Sequence, residues 1–275
     1  IESGWRYMFG SEMVPAGLFA ILICFVPETP RYLASIGEDS KAENILAKIN
    51  GAAKAKTILV EIKETMTVKT EPLMTYGFLC IFVGIMLSVF QQAVGINAVL
   101  YFAPRIYGAM GFDNPMILTV FNGIVNLAFT CVAIFTVEKL GRKPLLIVGS
   151  LGMAIGAIGV ACTFGTDYQL LCMISLMVYS ASFMFSWGPI CWVLIAEVFP
   201  NTIRGGAVAI AVAFQWIFNW IVSTSFVPMA NSLGYWFTYG LYGVICVIAA
   251  IFVWKLVPET KGKTLEDMTK LWKKK

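Results

Sequence analysis

The sequence predicts an all-helical membrane protein of seven apolar spans with one polar helical insert. Three observations carry that fold class. Of 275 residues, 59% are hydrophobic and 13% are charged, whereas a soluble domain carries about 25% charged residues. The apolar residues come in long runs. Leu73 to Ala103 holds no acidic or basic side chain, and such a run is long enough to cross a bilayer. The basic residues occupy alternate loops. Of the 20 Lys and Arg, all but Arg6 and Arg105 fall between Pro27 and Pro72, in the turns Glu138 to Pro144 and Asn201 to Arg204, or from Lys255 onward. The positive-inside rule puts that side, and the C-terminus, in the cytoplasm. An N-terminus outside and a tail inside need an odd number of spans, in agreement with seven.

Met8 to Val26 is the first span, with Trp5 and Tyr7 as an interfacial anchor and Glu12 in its first turns. Pro27, Glu28, Thr29, Pro30 and Arg31 end it. Asp39 to Glu71 is polar and lysine-rich but helical in period. Ser40 with Glu43 reads as a capping box, and Ile45, Leu46 and Ile49 form an apolar stripe that Asn50-Gly51 stops. A second helix, Ala52 to Thr67, carries Ile58, Leu59 and Ile62 on one face. Both are amphipathic helices outside the membrane.

The second span, Leu73 to Ala103, carries Gln91, Gln92 and Asn97 in its interior, breaks near Gly95 and is closed by Pro104. Met116 to Val137 is the third, with Asn122 and Asn126 on one face. A tight charged turn leads to the fourth, Leu145 to Phe164. Its glycines at 149, 152, 156 and 159 form a ridge for close helix contact. The fifth, Leu170 to Ile195, is interrupted by Gly188 and Pro189. Gly206 to Met229 and Leu233 to Val257 are the sixth and seventh. The chain opens on Ile1 and reads as the interior of a longer protein.

There is no histidine and no Walker motif, and the seven cysteines lie in apolar runs without a CxxC pair. Nothing implies a metal, a cofactor or a nucleic-acid partner, and an enzyme would need a carboxylate or histidine pair at membrane depth. The polar groups inside the spans are amides, hydroxyls and indoles. Amides are costly in hydrocarbon, so they should face a wet or protein-lined cavity. They offer both donors and acceptors to a neutral, hydroxyl-rich solute, while indole and phenyl faces cover the apolar side of a ring. The candidates are Gln91, Gln92, Asn97, Tyr101, Asn126, Trp192, Gln215 and Trp216. An interhelical hydrogen bond is the alternative for any of them. The pairs Glu28/Arg31, Glu138/Arg142 and Glu197/Arg204, joined by Glu259, sit beside helix ends, where ion pairs either anchor the bundle or gate it.

The motifs PETPRYL from Pro27, GRKP from Gly141, EVFP from Glu197 with Arg204-Gly205, and PETKG from Pro258 resemble the signatures of the sugar porter family of the major facilitator superfamily. QQxxGIN from Gln91 and WGPICWVLIAEVFP from Trp187 agree with them. The resemblance covers essentially the whole chain. It implies a twelve-helix fold in two halves. Residues 1–26 would be the last helix of the N-terminal half, 27–72 a cytoplasmic helical linker, 73–257 the C-terminal six-helix bundle and 258–275 a cytoplasmic tail. It also adds Phe183 and Gly188 to the substrate-binding set. Thr29, Tyr32, Glu138 and Gly206 depart from the family pattern without touching that set.

The resemblance implies transport of a monosaccharide, D-xylose or a similar pentose or hexose, by alternating access in a bacterial inner membrane, with proton-coupled symport favoured. The alternatives are a sugar or polyol uniporter and a membrane sugar sensor that moves nothing. The implied partners are the sugar, a proton as co-substrate, membrane lipid and the missing N-terminal half.

Overall fold

A computed structural model describes residues 4–66, 71–262 and 272, with the backbone alone at 5, 65 and 66. The chain divides into two compact units, Ile1–Lys69 and Thr70–Lys275.

In the first unit, the expected opening span forms as two helices, α1 (Gly4–Ser11) and α2 (Met13–Ile23). Pro15 accounts for the interruption, because it has no N–H for the Ser11 carbonyl. Glu12 N–H bonds back to Phe9 O, and the ladder resumes from Ala16 N–H to Glu12 O. No residue of α2 is buried. Helix α3 (Pro30–Ser35) starts with Pro30 at its first position, and the Thr29 hydroxyl caps it by accepting from Tyr32 N–H. Helices α4 (Asp39–Asn50) and α5 (Ala52–Met66) follow. Leu33, Ala42, Leu46, Ala55, Leu59 and Ile62 form their shared core. The predicted stripe is therefore narrower than the sequence suggests, since Ile49 is exposed. The capping box is absent. Helix α4 begins two residues earlier, with Glu38 at the N-cap, which puts Ser40 inside it, and Asp39 instead pairs with Lys63 of α5 at 2.5 Å.

The second unit starts with a short 3₁₀ turn, Leu73–Tyr76. Its helices are α6 (Phe78–Ala93), α7 (Ile96–Ala109), α8 (Pro115–Leu140), α9 (Arg142–Thr163), α10 (Gln169–Phe185), α11 (Trp187–Val198), α12 (Arg204–Ser232) and α13 (Gly234–Leu256). They make six spans long and apolar enough to cross a membrane, because α6–α7 and α10–α11 each form one broken span. The α6–α7 span is the most buried, 72% against 17% for α8, so it is the central span of this unit.

The glycine ridge packs as expected. Gly149, Gly152, Gly156 and Gly159 of α9 meet Ser186, Ser182, Tyr179 and Ser175 along the α10 span. An added Cβ at Gly156 would come 2.6 Å from the Tyr179 backbone nitrogen. The small residues let the two backbones approach closely, which is how helices gain packing contact in lipid.

Two corrections concern the helix breaks. Pro104 does not close its run. It lies inside α7, with Phe102 non-helical just before it, and α7 continues to Ala109. Proline removes one hydrogen bond and bends the helix without ending it. The fifth span breaks at Ser186 (φ −129°, ψ −87°), ahead of Gly188 and Pro189. Pro189 thereby falls in the first turn of α11, where its missing N–H costs nothing.

Candidate functional site

Gly95 has φ +87°, a conformation glycine adopts without strain, and the ring of Tyr242 occupies the space a Cβ would need. The turn it makes ends α6 just after Gln91 and Gln92 and starts α7 just before Asn97. On α12, Gln215 and Asn219 are one turn apart and so share a face. These five amides form one network. Gln91 Oε1 accepts from Gln92 Nε2 and from Gln215 Nε2, the latter at 2.9 Å. Gln92 Oε1 accepts from Asn97 Nδ2 and, at 3.1 Å, from Asn219 Nδ2.

Each of the two central oxygens thus takes two donors, and the outer acceptors are left over. Gln215 Oε1 is buried without a partner among the described residues. Asn97 Oδ1 and Asn219 Oδ1 make no hydrogen bond within the described residues, and Gln91 Nε2 is a donor left unused there. A buried acceptor without a donor is destabilising, so Gln215 Oε1 is the atom of the network most in need of a donor. No member of the network is charged.

Of the sequence-predicted residues, Gln91, Gln92, Asn97 and Gln215 come together. Asn219 belongs with them; its place one turn from Gln215 was the signal for it. Asn126 is buried on α8, outside the network, and its Oδ1 has no partner among the described residues. Phe183 is buried and its ring lies beside Gly188, where only a hydrogen fits comfortably. Tyr101, Trp192 and Trp216 are 56%, 45% and 62% exposed and lie on the surface of the unit. Asn122 has an interhelical role: its Oδ1 accepts from Ser180 Oγ at 2.8 Å.

A charged cluster joins one set of helix ends. Arg142 Nη2 lies 2.9 Å from Glu197 and 3.1 Å from Glu138. Glu259 accepts from the backbone N–H groups of Arg142 and Lys143 at 3.1 and 3.0 Å, which places its charge on the N-terminus of α9. Thr260 Oγ1 donates to Glu197 at 2.5 Å. The expected Glu197/Arg204 pairing does not form. Arg204 begins α12 and its guanidinium reaches back to the Phe199 carbonyl, while Glu197 takes Arg142. Glu28 and Arg31 flank the Thr29 cap in the first unit and share no salt bridge among the described residues.

The sequence matches the family described as "Sugar (and other) transporter" over residues 2–272. The chain belongs to that sugar transporter family. Among relatives in the family, it is 48% identical to the D-xylose-proton symporter of Escherichia coli, over 98% of this chain and 57% of that protein. It is 39% identical to the glucose transport protein of Synechocystis (97% and 61%) and 36% identical to the arabinose-proton symporter of Bacillus subtilis (99% and 61%). A solved proton:xylose symporter bound to 6-bromo-6-deoxy-D-glucose superposes with a TM-score of 0.83 at 47% identity, over 98% of this chain and 59% of that one. The inward-open xylose transporter of E. coli gives 0.77. The match fixes the fold as that of the major facilitator superfamily, in a multi-pass membrane protein. The chain spans a little under two thirds of the length of these relatives.

Proposed function

We propose that this chain supplies the sugar-binding half of a monosaccharide transporter that works by alternating access in a bacterial inner membrane, with D-xylose as the first substrate to test. The observation that carries the reading is the uncharged amide network at the α6–α7 break, with its outstanding acceptors. Sugar hydroxyls donate to such acceptors, and binding there exchanges water for matched hydrogen bonds. Exposed Tyr101, Trp192 and Trp216, with Phe183, Gly188 and Asn126, are proposed to complete the sugar path against a second half of the fold.

Proton symport is favoured, because two of the relatives described above carry "proton symporter" in their names. The charged cluster of Glu138, Arg142, Glu197 and Glu259, with Arg204, is proposed as the cytoplasmic gate on the side of the C-terminus. A gate needs a contact that holds in one state and breaks in the other.

The test is uptake of radiolabelled D-xylose by proteoliposomes holding the full-length protein that carries this sequence. Saturable uptake that collapses when a protonophore removes the gradient supports symport. Uptake insensitive to the gradient shifts the reading to a uniporter. Binding without uptake shifts it to a sensor.

A further inference from the structure

We propose that Tyr179 is a positioning residue for the amide network: its hydroxyl holds the carbonyl exposed by the α6–α7 break, and so sets Asn97 against Gln92. The proposal rests on the sugar-binding reading of that network. The need for such a tie arises from the break itself. In an unbroken helix the Val94 carbonyl would accept from Ala98 N–H. Here Ala98 N–H turns to Gly95 O at 3.1 Å, and the Val94 carbonyl is orphaned. Val94 is fully buried, so water does not replace the lost donor.

The Tyr179 hydroxyl on α10 donates to this carbonyl. Its ring is fully buried and stands edge-on to Tyr239, with centroids 6.2 Å apart, and Tyr239 stands edge-on to Tyr242 at 6.1 Å. The Tyr242 ring then covers Gly95. Three tyrosines from α10 and α13 therefore back the break. Their hydroxyls are not equivalent. Among the described residues those of Tyr239 and Tyr242 have no hydrogen-bond partner, so these two contribute packing, and the tie to the break belongs to Tyr179.

The lever is short. The Asn97-to-Gln92 bond straddles Val94 and Gly95, so a shift in the Val94 carbonyl alters the reach of one amide to the other. No hydrogen bond links Tyr179 to the amides, and its influence on them runs through the backbone.

The test compares Tyr179→Phe with the parent in the full-length protein, by hydrogen–deuterium exchange and by equilibrium binding of D-xylose. Loss of the hydroxyl should speed exchange at residues 94–98 severalfold, leave distant segments unchanged and weaken D-xylose binding by about tenfold. In an Asn97→Ala background the same change should weaken binding no further, which a general loss of stability would not produce. Tyr239→Phe, which keeps the ring and removes an unpartnered hydroxyl, should match the parent in both measurements. Unchanged exchange at the break, or a loss of affinity that persists undiminished in the Asn97→Ala background, overturns the proposal. A parent protein that binds no monosaccharide sinks the sugar reading, while the exchange data still decide whether Tyr179 ties the break.

Discussion

Gln215 Nε2 on α12 lies 2.9 Å from Gln91 Oε1 on α6, a bond between buried side chains of two different spans. Through it the amides of α12 and those at the α6–α7 break become one hydrogen-bonded unit. Gln92 is the member on which most depends, since its Oε1 accepts from both Asn97 and Asn219. Gln92→Ala removes that acceptor and leaves two N–H groups to find new partners. We expect D-xylose binding to weaken at least tenfold, about 1.4 kcal/mol, with the unfolding midpoint in detergent close to the parent's. Asn97→Ala should behave alike. Isothermal titration measures both, and parental affinity in both variants would remove them from the site.

Asn219 and Asn122 are both span asparagines, and the structure separates their roles. Asn219 donates to Gln92, whereas Asn122 accepts from Ser180 across α8 and α10. Asn219→Ala should weaken sugar binding severalfold with little change in stability. Asn122→Ala should cost about 1 kcal/mol of stability, the ordinary worth of a hydrogen bond, and leave affinity near that of the parent. Thermal unfolding paired with titration checks the contrast; the reverse pattern would exchange the two assignments.

What the sequence made legible follows from periodicity and from chemistry that cannot be hidden. Gln91, Gln92 and Asn97 stand out because amides in an uncharged run need partners, and the break at Gly95 follows from a glycine in their midst. Tyr179 gave no signal. A tyrosine in an apolar run packs well whether or not its hydroxyl bonds, and only the three-dimensional position of Val94 shows that it does. The Arg142–Glu197 pair was likewise out of reach, because charges at the ends of different spans can be matched in several ways until the helices are placed. The early break at Ser186 was misplaced for a local reason. Proline disrupts the turn that precedes it, so the discontinuity falls upstream of Pro189.

The glycine ridge allows a sharper test than a general claim of close packing. At Gly156 an added Cβ meets backbone atoms on the facing helix, Tyr179 N at 2.6 Å and Ser175 O at 2.7 Å. At Gly152 it meets the Ser182 hydroxyl at 2.4 Å, which can rotate away, and the Ser182 Cβ at 3.1 Å, which a small shift relieves. Gly156→Ala should therefore destabilise by about 1–3 kcal/mol, the usual cost of overpacking, and Gly152→Ala by clearly less. Thermal or urea unfolding in detergent reads the difference. Equal losses would mean that α9 and α10 separate more easily than their contact implies.

Arg142 faces two acids, and their exposure ranks them. The Glu138 side chain is 74% exposed and its pair with Arg142 crosses the Gly141 turn from the end of α8 to the start of α9, so solvent screens most of its attraction. The Glu197 side chain is 30% exposed and joins the end of α11 to the start of α9, with Thr260 on its other oxygen. The guanidinium itself is nearly buried, and removing one partner of a buried charge is costly because the remaining charge is left uncompensated. Glu197→Gln should thus disturb the cluster much more than Glu138→Gln. If the cluster gates the transporter, Glu197→Gln should change the D-xylose exchange rate severalfold and leave equilibrium affinity at the amide site within about twofold, since neither acid touches that network. Exchange and binding measured side by side in proteoliposomes decide it. Equal rates in the two variants would reduce the Arg142–Glu197 contact to an anchor between helix ends.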